Sequence, residues 1–180
     1  MKRTIYKRKK NGKTNYKKRL KLLLSKKPRL VIRKSLNGIS LQIIQYFEDG
    51  DKVIISAKSS DLKKLGWNLN EGNIPAAYLT GLLVGKRAQE KKVGEIIADI
   101  GLNTPTKGGK IFAALKGAVD SGLKIPHSKE MFPDEETISG KKIQTYLDLL
   151  KDKKTTQFGK YKKGIIIIKE FEKVKNAIEK

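Results

Sequence analysis

His127 is the only histidine of the chain, and there is no cysteine. Nucleophilic triads need a base beside the nucleophile, usually histidine, and zinc sites draw on imidazole or thiolate. One histidine placed just after Ile125-Pro126 supplies neither arrangement, so it reads as a turn residue. The absence of cysteine also excludes disulfides and thiolate chemistry. Carboxylates remain as ligands for magnesium, which would suit phosphodiester cleavage. The candidates are Asp99, Asp120 and the Glu48, Asp49 and Asp51 group. Two-metal cleavage requires several acids within a few ångströms of one another, and nothing in their spacing imposes that. Asp99 reads as a loop cap and Asp120 as part of a solvated helix face. The preferred reading is a protein with no catalytic residue, no metal and no cofactor; a metal-dependent RNA-processing nuclease is the enzymatic alternative.

The segment Thr106-Lys107-Gly108-Gly109-Lys110 invites comparison with a phosphate-binding loop. A Walker A loop needs a glycine five residues before its Gly-Lys pair and a hydroxyl after the lysine. Here those positions hold Thr104 and Ile111, so the motif fails. What remains is a glycine-rich, basic approach to a helix N-terminus, where free N–H groups together with Lys107 and Lys110 could seat an RNA phosphate.

Charge is the strongest signal. The 180 residues carry 41 Lys+Arg against 18 Asp+Glu, a formal net charge of +23. Such an excess opposes compaction unless a polyanion neutralises it, and it attracts phosphate backbones. Thermophile surfaces raise lysine and glutamate together, which does not account for lysine without matching acid. The excess is also uneven. Residues 1–34 hold sixteen Lys/Arg and no acid; the first carboxylate is Glu48. Acid-free basic blocks of this kind grip nucleic acid. The longest apolar runs, Ile74–Gly85 and Ile165–Ile168, fall far short of the roughly 20 residues of a membrane-spanning helix. A freely acting cationic membrane binder conflicts with the patterned core described next. The basic start leads into no apolar signal-peptide core, so a cytoplasmic location is expected.

The elements that must carry these charges follow from periodicity. About the first dozen residues lack an apolar pattern and are expected to be disordered without a partner, because they cannot offset their ordering entropy. Tyr16, Leu20, Leu23 and Leu24 then form a helical stripe, capped by Thr14 or Asn15, with lysine and arginine on the other side. After Pro28, three alternating segments (Arg29–Lys34, Ile39–Phe47 and Lys52–Lys58) are separated by Asn37-Gly38 and by Glu48-Asp49-Gly50-Asp51. That is the pattern of a three-stranded antiparallel meander. A helix is predicted over Ile74–Lys91, with Pro75 in its first turn, Tyr78, Leu79, Leu82 and Leu83 on the sheet, and Gly81 and Gly85 allowing close approach to it. Glu95–Ile100 reads as a fourth, buried strand. Lys110–Ser121 reads as a helix with Ile111, Phe112, Leu115 and Val119 inside. The fold class is α/β, a mixed four-stranded sheet packed with helices. Three regions are expected: a basic tail over 1–12, a core over 13–127, and a Lys-rich extension over 128–180. Within the extension, helices are predicted near Ile143–Leu150 and Phe171–Ile178, with a loop over Lys151–Lys163. It is read as packing on the core or on RNA. Among the aromatics, Tyr16 and Tyr46 are read as packing residues, while Tyr6 and Trp67 are left open to base stacking.

Several blocks occur in one order. Lys27-Pro28-Arg29-Leu30-Val31-Ile32-Arg33-Lys34-Ser35 opens the meander and Ser56-Ala57-Lys58-Ser59-Ser60-Asp61-Leu62 closes it. Gly66-Trp67, Gly72-Asn73-Ile74-Pro75-Ala76-Ala77-Tyr78-Leu79-Thr80-Gly81-Leu82-Leu83 and Asp99-Ile100-Gly101-Leu102 follow. The Thr106–Lys110 block then runs into Phe112-Ala113-Ala114-Leu115-Lys116-Gly117-Ala118, Asp120, Gly122-Leu123 and Ile125-Pro126-His127. Together these closely resemble the universal large-subunit ribosomal protein family numbered eighteen, in its archaeal and eukaryotic form. The resemblance is strong over about residues 12–127. It implies a structural protein that binds 5S rRNA and helps attach it to the central protuberance, touching large-subunit rRNA and neighbouring ribosomal proteins, with no membrane or small-molecule partner. One departure is Lys58, where the family suggests histidine.

The expected rRNA contacts are the tail residues Lys2, Arg3, Lys7, Arg8, Lys9 and Lys10, followed by Lys13, Lys17 and Arg19. At the sheet they are Arg29, Arg33, Lys34 and Lys58, and beside the second core helix Lys107 and Lys110. The tail is expected to thread RNA grooves and fold on binding. Arg19, Arg29, Arg33 and Lys34 are expected to clamp phosphates, with the core as a rigid platform.

Overall fold

In the computed structural model, which describes residues 4–150 and 166–179, the apolar alternation of the meander sets up a two-faced sheet. Strand β1 (Arg29–Lys34) pairs antiparallel with β2 (Ile39–Phe47), placing Leu30 opposite Ile43 and Ile32 opposite Leu41. All four side chains are buried on one face. Burying each contributes about 1.5–3 kcal/mol, which pins the register, because a one-residue slip would turn the whole set to solvent. Strand β3 (Gly50–Lys58) continues the meander antiparallel to β2, with a bulge at Ile43/Ile44. Strand β4 (Ile97–Asp99) joins the other side of β1 in parallel, giving the order β3-β2-β1-β4.

The strand expected over Glu95–Ile100 is therefore shorter than its apolar pattern. Ile96 donates its N–H to the Lys124 carbonyl instead of joining the ladder, and beyond Asp99 the chain turns at Gly101, whose φ is +63°. Asp99 itself holds this turn by accepting the Gly101 N–H at 2.8 Å.

Helix α1 (Lys7–Lys10) and helix α2 (Tyr16–Leu23) precede the sheet. The first is a single turn in the stretch expected to lack order. It accompanies a hydrogen bond from Arg8 Nε to Thr14 Oγ1 at 2.9 Å and contact between the Tyr6 and Tyr16 rings, whose centroids lie 5.1 Å apart. Asn15 caps α2 by accepting the Lys18 N–H at 3.1 Å. Neither helix has a buried residue.

Helix α3 (Ile74–Glu90) and helix α4 (Lys110–Asp120) cover the apolar face of the sheet and pack on each other. Asn73 caps α3 by accepting the Ala76 N–H at 2.8 Å. Gly81 and Gly85 face α4, not the sheet as the sequence suggested. A methyl group on Gly81 would stand 2.1 Å from the Ala114 carbonyl oxygen, and one on Gly117 equally close to the Tyr78 carbonyl. Reciprocal glycines thus bring two helix backbones together over the sheet. Tyr78 donates its hydroxyl proton to Asp120 at 2.9 Å. Burial, reinforced by that carboxylate, raises the Tyr78 pKa well above the usual tyrosine range.

A 3-10 turn (Ser59–Leu65) leads from β3 to Trp67, which is fully buried and donates its indole N–H to the Asn70 carbonyl. Trp67 is therefore a core residue, and the base-stacking alternative for it is withdrawn. Beyond the core, helices α5 (Glu135–Ile138), α6 (Lys141–Leu149) and α7 (Ile167–Glu179) follow. Helix α7 buries Ile167, Phe171, Val174 and Ile178, a 3.6-residue stripe, against α3 and the 3-10 turn. The Phe171 ring lies 5.9 Å from that of Tyr78. Part of the extension thus belongs to the same hydrophobic core. The loop expected over Lys151–Lys163 lies outside the described residues.

Candidate nucleic-acid interface

Because strand side chains alternate, burying Leu30 and Ile32 under the helices turns Arg29, Val31 and Arg33 to the opposite face. Helices α3 and α4 leave this face open, and the basic N-terminal arm lies beside it. Three cross-strand rows can be read from the register. Arg33, Ser40 and Lys58 form the first; Val31, Gln42 and Ser56 the second; Arg29, Ile44 and Val53 the third. The first row places two cations on either side of a hydroxyl. Lys58 is exposed and falls in line with Arg33.

Between this face and α2 lies a cleft of about 540 Å³, lined by Lys18, Arg19 and Leu22 from the arm and by Arg33 and Gln42 from the sheet. An ion network forms its floor. Arg29 donates from Nη2 to Asp51 at 2.8 Å and from Nη1 to Asp99 at 3.1 Å. Asp51 is shared with Arg19 at 3.0 Å, and Asp99 with Arg33 at 3.3 Å. Arg33 also donates to the carbonyls of Ile32 and Asp99, each at 2.9 Å. Three guanidiniums against two carboxylates leave the network with one net positive charge.

The geometry gives Arg29 a structural part besides the contact expected of it. Only 2% of Arg29 is exposed, and its fork is closed by two carboxylates. It is a buried strut joining β1, β4 and the start of β3, and it orients Arg19 and Arg33 through the acids it shares with them. Its Nε has no hydrogen-bond partner among the described residues. The acids considered as magnesium ligands are placed as well. Asp51 and Asp99 converge on arginine, and Asp120 binds the Tyr78 hydroxyl. Among the described residues, no group of three His, Asp or Glu side chains has the proximity to hold a metal ion.

The remaining expected contacts differ in exposure and in place. Arg33 keeps 46% of its side chain exposed, and Lys34 is exposed at the strand end. Lys7, Arg8, Lys9, Lys10, Lys13 and Lys17 are exposed on the arm; Lys2 and Arg3 lie outside the described residues. Arg19 is half-buried and tied to Asp51. Lys107 is exposed and Lys110 half-buried at the start of α4, where Gly109 takes the cap position without a side-chain cap. In the same loop the Gly108 N–H is taken by the Met131 carbonyl and the Gly109 N–H by Thr106. His127 sits in its turn, with Nδ1 2.7 Å from the Ile125 carbonyl and its ring on Phe132.

Tyr46 departs from its reading as a packing residue: it stands 46% exposed, opposite Asp51 near the edge of the open face. The residue left over by the shifted register is Ile54 on β3, so β2 keeps its alternation and Tyr46 shares a face with Gln42 and Ile44. A platform of this composition can hold a sugar-phosphate backbone by charge and offer it hydroxyl, amide and aromatic groups.

Comparison with known proteins gives one family. Residues 2–97 and 88–128 match the family described as ribosomal large subunit proteins 60S L5 and 50S L18, two overlapping matches that take in the arm, the sheet, α3 and α4.

Proposed function

The chain belongs to the family of large-subunit ribosomal proteins 60S L5 and 50S L18, and from that premise we propose that it binds 5S rRNA and helps fix it in the central protuberance. As a member it is an rRNA-binding structural constituent of the large subunit, in a family of structural proteins and not of enzymes. The narrower assignment to 5S rRNA rests on the resemblance of the ordered sequence blocks. The observation that carries the mechanism is the row Arg33–Ser40–Lys58 on the open face, beside an arm whose residues 1–34 have no acid. On this reading the RNA backbone lies over the sheet between the row and the arm. Arg33, Lys34 and Lys58 meet phosphates from the sheet. Lys7 to Lys10, Lys13 and Lys17 meet them from the arm. Arg29 contributes by positioning, since it fixes the two carboxylates that hold Arg19 and Arg33.

The test is incubation of the purified chain with 5S rRNA and Mg²⁺, followed on native and denaturing gels. A stable complex with full-length RNA is expected. Cleavage of the RNA would replace this reading with that of a nuclease, and failure to form a complex would remove 5S rRNA as the ligand.

A further inference from the structure

Alternation along β2 brings Tyr46 onto the open face after Gln42 and Ile44, and its partner across the ladder is Asp51. Ile44 and Asp51 both line the cleft. Side chains directly opposite each other stand about 4.5–5.5 Å apart at Cβ, so Tyr46 borders the cleft. Val53, paired with Ile44, lies diagonally from it on the same face and is 51% exposed. Tyr46 has no hydrogen bond, ring contact or cation over its ring among the described residues. Its neighbour Phe47 differs. That ring turns to the helical side of the sheet, where Lys52 Nζ stands 4.7 Å from its centroid. Tyr46 is thus an unpartnered aromatic beside a cationic cleft.

We propose that an unpaired nucleotide of the bound RNA stacks its base on Tyr46, with its phosphate turned toward the cleft. The cleft is lined by seven Lys/Arg against two Asp, so a surface that seeks anions adjoins a free aromatic face. A single-stranded nucleotide carries the matching pair, a flat base and a phosphate. Paired bases of a duplex are stacked on one another and do not present a face to the ring. A second copy of the chain would bring its own +23 and be repelled. A protein partner asks for more than this patch offers. Stable interfaces cover about 800 Å² on each partner, and here two apolar side chains, Tyr46 and Val53, are exposed side by side. One base on one ring needs no larger surface. The inference rests on the reading of the open face as the RNA side, but not on the RNA being 5S rRNA.

The experiment compares the full-length parent with Tyr46→Ala, Tyr46→Leu and Tyr46→Phe. Each is titrated with an unstructured single-stranded RNA, a perfect duplex of the same length, and 5S rRNA. Tyr46→Ala and Tyr46→Leu are expected to weaken single-strand binding at least about fivefold, the lower end for one stacked base. Tyr46→Phe keeps the ring and is expected to stay within about twofold of the parent. Duplex affinity is expected to stay within about twofold for all three, with the slope of log K against log salt unchanged, since no phosphate contact is removed. Parent-like single-strand binding by Tyr46→Ala overturns the proposal. So does a loss in Tyr46→Phe as large as in Tyr46→Ala, or an equal loss on the duplex. A Tyr46→Ala chain that keeps its RNA affinity but is outcompeted for entry into large subunits would give the ring to a protein partner, and that also overturns it. The parent supplies a reading free of any substitution. Irradiation of its single-strand complex is expected to leave a nucleotide on Tyr46, and adducts confined to other residues contradict the proposal. If the parent fails to bind 5S rRNA while the single-strand series behaves as expected, the 5S assignment falls and the stacking site stands.

Discussion

Arg29 shows how a residue can be placed on its surface from sequence while its partners stay hidden. Its type, its strand and its spacing from Arg33 were all legible, and both arginines do project from one face. What the sequence did not show is that Asp51 and Asp99, 22 and 70 residues away, close on its guanidinium. Long-range ion pairs leave no local periodicity to read. The consequence is a stability effect. Removing one partner of a buried pair costs about 3–5 kcal/mol when it strands the opposite charge; here Arg19 and Arg33 still pair with Asp51 and Asp99. Arg29→Ala is therefore expected to lower the unfolding free energy in urea by about the lower end of that range, while Arg33→Ala, half-exposed, costs far less. Equal and small losses for the two would mean that Arg29 is not a strut. Tyr46 lies near the end of β2, where regular alternation puts it on the open face, and a hydrogen bond to the Asn70 carbonyl satisfies the Trp67 indole inside the core.

Among the elements, β1, β2 and β3 were legible nearly to the residue, because alternation and turn chemistry agree. Strand β4 was not, since the Ile96 N–H goes to the Lys124 carbonyl and the chain turns away from β1 after Asp99. Helix α3 was placed correctly along the chain, but its glycines were assigned to the wrong neighbour. Small residues announce close approach without saying to what. The same limit applies to α2, whose stripe could be seen but not the side it would face. The arm before it has a measurable role. Residues 1–12 contain six Lys/Arg. If half of them meet phosphate, at about 0.7–0.9 per contact, their deletion lowers the slope of log K against log salt by roughly two. An unchanged slope would show that the arm does not touch the RNA backbone.

At the scale of the molecule, one sheet separates two kinds of surface. Its helical side buries the core, joined by α7, and this supplies the rigidity that a chain of net charge +23 needs before its polyanion arrives. Its open side, with the arm alongside, collects the cations into a defined geometry. Charge alone would bind any RNA; a fixed platform discriminates among RNA shapes. The most direct measurement is the equilibrium affinity of the full chain for 5S rRNA and for a scrambled RNA of equal length and composition, at one salt concentration near physiological ionic strength. The platform predicts tighter binding to 5S rRNA by at least roughly tenfold, a discrimination of about 1.4 kcal/mol. Equal affinities would contradict it and leave only nonspecific attraction between a basic chain and a polyanion.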